Sequence, residues 1–477
     1  MSARRLGGLA AFAVFTAAFA TRAAQSLGYD ELFTVWVSSR PVPDLIRQAN
    51  ADGFTPPLFY VLVKLLATAG LAREDLRILP AFFAGLAAWF GLQASERLFG
   101  EASRWAALFV IPGSAYLLTF AHELRPYSAL LALGFYCLGR LAGPADEGGD
   151  ARSAVAAILA TAFSYLGVGL IGLWILHGRR RQPRSRLALM GFVALILCAP
   201  GLLKAGALAG ASVDARIVWP LTRPSLSTIF FGLAPMPVDR GLEVASVLVL
   251  AVLLVATLRT RGAPPFGFLA RAFALLLASV IVFDTLVPIG FAPRYFALPM
   301  AALLLLIVGA LSRFARAGTL AALLLLVANG VALHRYLTAQ PPPREDWRGT
   351  MTGMQRRLGT DGILLAFPFH HAAVAAHAYA PGLRVGGGYT SRSGPVFWYE
   401  PPTAFKGYEF KDLERLDDPL ATLLRLTSLE DVCILSDEPD VAKTALVFAA
   451  FQKTGETEPF DTGDVRLRAS CRRKGPR

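Results

Sequence analysis

Long apolar tracts separated by short polar segments run through most of this chain, and they restrict its fold more than any other feature. The composition is 55% hydrophobic and 17% charged, and the mean hydropathy is +0.49. A soluble domain cannot bury that much apolar surface, and lipid offers no hydrogen-bond partners to an open backbone. The sequence therefore predicts an α-helical polytopic membrane protein with about eleven spans. The main tracts lie at residues 6–21, 78–95, 105–121, 127–142, 153–177, 187–203, 243–258, 268–289, 295–311 and 319–336.

The formal net charge is +13, but the arginines occur in short clusters between the apolar tracts. Clusters of this kind mark the cytoplasmic ends of membrane helices. They are Arg179–Arg181, Arg259 with Arg261, and Arg313 with Arg316. This assignment places the loops 206–240 and 288–294, and everything after residue 337, on the outer side. It also argues against nucleic acid as a partner, because the positive charge is explained by topology.

Upstream of these clusters the charges do not decide the topology, and two layouts remain open. If 56–71 spans the membrane and 153–177 is one helix, the loop 122–126 lies inside. If 56–71 lies at the interface and 153–177 is two short helices that break near Ser164 and Tyr165, the same loop lies outside. Both layouts give about eleven spans, with the N-terminus inside and the C-terminus outside.

The first tract follows Arg4 and Arg5 and permits two interpretations. Ala18, Phe19 and Ala20 form a small-x-small pattern that would suit cleavage of a signal peptide. A retained anchor is preferred, because many spans follow and a reactive site just beyond the helix needs a fixed support.

From Gln340 onward the composition becomes mixed, and residues 338–477 are predicted to form a soluble periplasmic α/β domain, while 1–337 form the membrane domain. The predicted helices are 346–358, 371–380 and 441–451, and the predicted strands are 362–367, 431–435 and 465–469. Cys433 and Cys471 either pair in an oxidising compartment or are two buried thiols. No metal-site spacing is present.

Asp30 and Glu31 come directly after the first tract, in the predicted outer loop 25–75. Adjacent carboxylates are costly to keep near lipid, so they indicate a functional site unless they are a solvated pair.

Three further motifs follow the acidic pair in order: Pro56–Tyr60, Glu123–Tyr127 and Pro293–Pro299. In this order the four features resemble membrane glycosyltransferases of the GT-C class, of the protein O-mannosyltransferase and aminoarabinose-transferase type. The segment Asp346–Arg348 is similar to the start of the outer domain in bacterial members of that class.

The resemblance implies a multi-pass protein of the inner membrane with a GT-C fold, which transfers a sugar from a polyprenyl-phosphate donor to a lipid, glycan or protein acceptor. It implies catalytic roles for Asp30, Glu31 and Glu123, and so favours the layout in which loop 122–126 is outside. Thr55 departs from the pattern, because many relatives have His or Lys there. No resident cofactor is predicted with certainty, although a divalent metal is allowed for.

The expected chemistry needs one base and one cationic clamp. A departing phosphate is already a competent anion, so no general acid is required as it would be in a glycosidase. Asp30 is the expected base, supported by Glu31, and Arg125 and Arg294, with Tyr295, are the expected donor-phosphate contacts.

His122, Tyr127 and Tyr60 are the expected substrate contacts, although His122 would also suit a packing role. The arginines at 125 and 294 would also suit interfacial anchors that reach the lipid headgroups. The alternative function is a transporter or flippase of lipid-linked envelope precursors. That function needs polar residues at the bilayer midplane, whereas the charges here concentrate at outer helix ends, which favours a transferase.

Overall fold

A computed structural model describes much of the chain, which packs as two compact units. The described residues are 3–21, 26–52, 55–143, 149–178, 182–210, 264–286, 293–338, 346–359, 362–367, 369–387, 431–436, 448–449, 451–452, 457–462 and 467–472. Those of the first unit fall within Met1–Ala23, Leu45–Gly210 and Val218–Ala339, and those of the second within Ala24–Asp44 and Gln340–Arg477. The tract predicted at 243–258 and most of the helix predicted at 441–451 lie outside the described residues.

Helices make up nearly all of the first unit and part of the second. In chain order they are α1 (Ala3–Thr21), α2 (Tyr29–Ser39), α3 (Val42–Asp52), α4 (Pro57–Thr68), α5 (Ile78–Phe99), α6 (Arg104–Val110), α7 (Ala115–Ala121), α8 (Tyr127–Ala142), α9 (Gly149–Phe163), α10 (Val168–Gly178), α11 (Arg184–Gly210), α12 (Pro264–Leu286), α13 (Ala297–Leu311), α14 (Ala315–Leu337), α15 (Trp347–Leu358) and α16 (Phe369–Tyr379).

Several of these helices are long and apolar enough to cross a membrane. Within the described part of the chain five qualify, or six if α6 and α7, which bend by 57°, count as one broken span. Five shorter apolar helices accompany them: α1, α4, α8, α9 and α10. The chain is therefore a helical polytopic membrane protein, and the expected total of about eleven spans stays a prediction.

Small residues allow the membrane helices to approach closely. A Cβ on Gly85 of α5 would lie 2.9 Å from the carbonyl oxygen of Ala11 in α1, and one on Gly139 of α8 would lie 2.7 Å from the Cβ of Ala94. Close backbone approach is how helices associate in lipid, where no hydrophobic effect drives them together.

The tract predicted at 153–177 is two helices, because the chain reverses at Ser164. Gly167 lies so close to the backbone of Ala160 and Thr161 that no Cβ would fit between them. Residues seven apart in a straight helix are separated by about 10 Å, so this contact requires a turn. A short 3-10 segment, Tyr165–Gly167, forms that turn between α9 and α10.

The second unit contains a five-stranded sheet in the order β2-β1-β3-β5-β4. The strands are β1 (Ile363–Phe367), β2 (Arg384–Gly387), β3 (Val432–Ser436), β4 (Glu458–Phe460) and β5 (Arg468–Arg472). β1 pairs in parallel with β2 and β3, while β5 pairs antiparallel with β3 and β4. The helix α16 connects the parallel pair β1 and β2, as crossover helices do.

A disulfide ties the last strand to the middle of this sheet. Cys433 of β3 lies opposite Cys471 of β5 in the antiparallel register, and the two sulfurs are bonded. The alternative of two buried thiols, left open from the sequence, is therefore wrong. Cys137 and Cys198 are free thiols.

Candidate functional site

The acidic pair lies in a helix. Within residues 25–75, the predicted outer loop, Asp30 and Glu31 occupy the first turn of α2, and α3 and α4 follow. Leu32, Phe33 and Trp36 recur at helical spacing and are all buried, which explains why this short segment is helical.

Glu31 caps its own helix. Its Oε2 atom accepts a hydrogen bond of 3.0 Å from the backbone N–H of Gly28, the residue before α2 begins. A carboxylate at the third helical position that reaches back in this way satisfies an otherwise unpaired N–H. The Glu31 side chain is 1% exposed.

Asp30 differs from its neighbour because its side chain is partly exposed. Its backbone oxygen accepts a 2.9 Å hydrogen bond from the Thr34 hydroxyl, which reinforces the first turn. At the second helical position the carboxylate lies near the positive end of the α2 dipole. Of the two acids, Asp30 is the one that solvent or a substrate can reach.

The residues just before the acidic pair contact helices of the C-terminal domain. The backbone N–H of Leu27 donates to the Tyr379 hydroxyl at 3.2 Å, and the ring of Tyr29 lies 3.8 Å from that of His371, centroid to centroid. The Ser26 hydroxyl accepts a 3.2 Å bond from the Arg348 N–H. Sequence reasoning missed these contacts, because nothing in the spacing of Tyr379 or His371 links them to α2.

A second cluster forms in the first unit, around Tyr127. Tyr127 begins α8 directly after the motif that contains Glu123 and Arg125, and α13 begins directly after the 3-10 segment that contains Arg294 and Tyr295. The charges of Glu123, Arg125 and Arg294 all act on the Tyr127 hydroxyl, as does Tyr295. The structure thus brings two distant motifs together.

A direct hydrogen bond ties α7, the helix that precedes loop 122–126, to the motif that begins at Pro293. The hydroxyl of Tyr116, on α7, donates to the carbonyl of Pro293 at 2.7 Å. Tyr116 was not singled out from the sequence. The available signal was a tyrosine inside an apolar tract, since a buried hydroxyl needs a hydrogen-bond partner.

The cluster is largely removed from solvent yet positively charged. Arg125 is 7% exposed and Tyr127 is 4% exposed. The Arg294 guanidinium lies 5.5 Å from the centroid of the Tyr295 ring, a cation–π contact. Two guanidinium groups held beside two helix N-termini favour an anion with several oxygens, such as a phosphate.

This geometry also bears on the topology. Loop 122–126 and segment 293–296 lie together, so they are on the same side of the membrane. The reversal at Ser164 agrees with this arrangement. Both observations favour the layout that puts loop 122–126 on the same side as loop 288–294.

The remaining predicted substrate contacts lie on α4 and directly after α7. His122 is the residue that ends α7, where its backbone N–H donates to the Thr119 carbonyl at 3.3 Å. Tyr60 is fully buried on α4, and its neighbour Phe59 packs against Phe163 of α9 with ring centroids 6.5 Å apart.

Among the described residues, no three His, Cys, Asp or Glu side chains gather in a way that could hold a metal ion. The divalent metal allowed for from the sequence is therefore given no ligands here.

The chain resembles a solved protein along nearly its whole length. It matches the crystal structure of ArnT from Cupriavidus metallidurans in the apo state, with a TM-score of 0.58 and 13% sequence identity, over 98% of this chain and 98% of that chain. No family model matches the chain, and no curated protein matches it. At this identity the likeness shows the fold, and the chain has the GT-C fold that its ordered motifs predicted.

Proposed function

We propose that the chain is a glycosyltransferase of the inner membrane. It transfers a sugar from a polyprenyl-phosphate donor to a lipid, glycan or protein acceptor at the periplasmic face, with inversion. The ArnT-like fold supports this function, and the observation that carries it is the cationic cluster around Tyr127.

The cluster suits the phosphate of such a donor. Arg125 precedes the start of α8, and Arg294 precedes the start of α13. The dipole of each helix adds partial positive charge at its N-terminus. Negative charge grows on the phosphate as the sugar leaves, so cations held in a buried site favour the transition state over the ground state.

Asp30 is the proposed base. As the acceptor hydroxyl attacks the anomeric carbon, its proton passes to the Asp30 carboxylate. The bond from the anomeric carbon to the phosphate oxygen breaks on the opposite face, and polyprenyl phosphate leaves with the electron pair. No protonation of the leaving group is needed, because phosphate is stable as an anion.

The other acids take supporting roles in this proposal. Glu31 keeps the first turn of α2 in place through its bond to Gly28. Glu123 lies in the phosphate cluster, where it orients the arginines or accepts from donor hydroxyl groups.

The proposal is tested with purified protein in nanodiscs and a panel of radiolabelled polyprenyl-phosphate sugars, with membrane extract as the source of acceptor. We expect the label to move to an acceptor while polyprenyl phosphate is released, and Arg294→Ala to abolish most of both. The same protein in sealed vesicles distinguishes a flippase, because label that crosses the bilayer still bonded to phosphate contradicts the proposal.

A further inference from the structure

The C-terminal domain contacts the segment that leads into α2, the helix that carries Asp30 and Glu31 in its first turn. Residues 26–29 make three contacts with this domain: the Leu27 N–H donates to the Tyr379 hydroxyl at 3.2 Å, the Tyr29 ring lies against the His371 ring at a tilt of 37°, and the Arg348 N–H donates to the Ser26 hydroxyl. Tyr379 and His371 stand at the two ends of α16. The segment is therefore held at successive points rather than by one bond.

The side chains that make these contacts are held in place by their own surroundings. His371 is buried. It belongs to α16, the crossover helix that connects β1 to the neighbouring parallel strand β2. The guanidinium of Arg348 lies 5.8 Å from the centroid of the Tyr379 ring. A side chain fixed on both sides loses little further entropy when it contacts another group, so it is a precise anchor.

These contacts restrict the position of Asp30 through the backbone. Gly28 lies between Leu27 and Tyr29, which both contact the C-terminal domain. Its N–H donates to the Glu31 carboxylate. Its carbonyl accepts from the N–H groups of Glu31 and Leu32 at 3.0 and 2.9 Å. Asp30 is the residue between Tyr29 and Glu31, so its Cα is fixed on both sides. Any tilt of the α2 N-terminus moves its carboxylate.

We propose that Tyr29, His371 and Tyr379 are positioning residues for the Asp30 carboxylate, which makes the C-terminal domain the holder of the catalytic helix. This role rests on the proposed function of Asp30. It gives the domain a part in the chemical step without requiring any of its own side chains to react. A shift of a catalytic group by about 1 Å can lower the rate about a hundredfold, so contacts that position the Asp30 carboxylate from a distance affect turnover.

Two substitutions with a matched control test this positioning role. Tyr379→Phe removes the acceptor for the Leu27 N–H but keeps the ring beneath Arg348. Tyr29→Ala removes the ring that faces His371, while Tyr29→Phe keeps that ring and is the control. We expect kcat to fall roughly tenfold to a hundredfold in Tyr29→Ala and several-fold in Tyr379→Phe. We expect an unchanged KM for the donor, an unchanged melting temperature, and near-normal kcat in Tyr29→Phe.

Three results overturn the inference. They are a wild-type kcat in both Tyr29→Ala and Tyr379→Phe, a loss in Tyr29→Phe equal to that in Tyr29→Ala, and a fall in kcat that merely follows a fall in melting temperature.

Amide hydrogen exchange over residues 29–33 gives a readout that does not depend on turnover. Faster exchange in Tyr29→Ala than in Tyr29→Phe supports the inference that these contacts order the start of α2, and equal exchange in the two variants overturns it. If wild-type protein transfers no sugar from any donor, the proposed function fails, while exchange still decides whether the C-terminal domain orders α2.

Discussion

Asp30 and Glu31 are adjacent in sequence, yet their side chains meet different surroundings. Asp30→Asn is nearly isosteric and should lower turnover about a hundredfold to ten-thousandfold, the usual loss on removing a general base. Glu31→Gln keeps an oxygen that can accept from Gly28, so turnover should stay within about tenfold of wild type. Glu31→Ala loses the cap and should destabilise α2 by about 1 kcal/mol. Turnover and melting temperature of the three variants check this.

The two roles are reversed if Asp30→Asn turns over normally while Glu31→Gln is inactive. Normal turnover in both variants removes the acidic pair from the mechanism.

The arginines near Tyr127 can be separated by charge and shape. Arg294→Lys keeps the charge but loses the forked donors, so kcat should fall about tenfold, and Arg294→Ala about a hundredfold or more. Arg125 should respond in the same way. Arg316→Lys is the matched control, because Arg316 is exposed at the predicted cytoplasmic end and should have no effect. Undiminished donor binding and turnover in Arg294→Ala would exclude Arg294 from the site.

Sequence reasoning named the residues of the Tyr127 cluster but not what joins them. Glu123, Arg125 and Arg294 stood out because they belong to the ordered motifs that resemble those of GT-C transferases. Tyr116 did not stand out, since its hydrogen bond to Pro293 crosses 177 residues and has no local pattern. The cap formed by Glu31 has a known spacing, but Gly28 lacks the side chain that usually signals it.

At the scale of elements, small residues decide how closely the membrane helices pack. Gly85→Val puts a branched side chain where even a Cβ would lie 2.9 Å from the Ala11 carbonyl, so it should destabilise the protein by about 1 to 3 kcal/mol. Gly172→Val is the matched control in α10, where a Cβ meets no atom within 4 Å. Melting temperatures in detergent compare the two. Equal losses would show that propensity rather than packing sets the cost.

Hydrophobic pattern located most elements but left some boundaries open. The tract at 295–311 is α13, and the predicted strand 362–367 is β1, because apolar runs in these contexts have few alternatives. The pattern missed the short strands β2 and β4, whose residues include Gly386 and Pro459 and carry little β-propensity. Periodicity could not decide whether the tract at 153–177 breaks near Ser164, since both halves of that tract are apolar helices.

At the scale of the whole molecule, the arginine clusters predict which side of the membrane each loop occupies. Alkaline phosphatase fused after residue 340 should be active, because that position is predicted to be periplasmic. In a variant without free thiols, His122→Cys should label with an impermeant maleimide in intact cells, whereas Arg313→Cys should label only after lysis. An inactive phosphatase, or the opposite labelling pattern, would invert the layout.

The helical membrane fold was predictable, because the apolar tracts and the ordered motifs both point to it. The assignment of residues 24–44 to the same unit as the C-terminal domain was not. That grouping depends on contacts such as Leu27 with Tyr379, separated by 352 residues, which composition does not encode. Long-range contacts of this kind are also where the proposed positioning role arises.

The anomeric configuration of the product tests the central claim most directly. A single displacement, with Asp30 as the base and polyprenyl phosphate as the leaving group, must invert the anomeric carbon. With a donor of known configuration, proton NMR of the purified product should show the opposite anomer, formed in proportion to the polyprenyl phosphate released. A product that retains the donor configuration, or a donor recovered intact after incubation with every acceptor tested, would contradict the account.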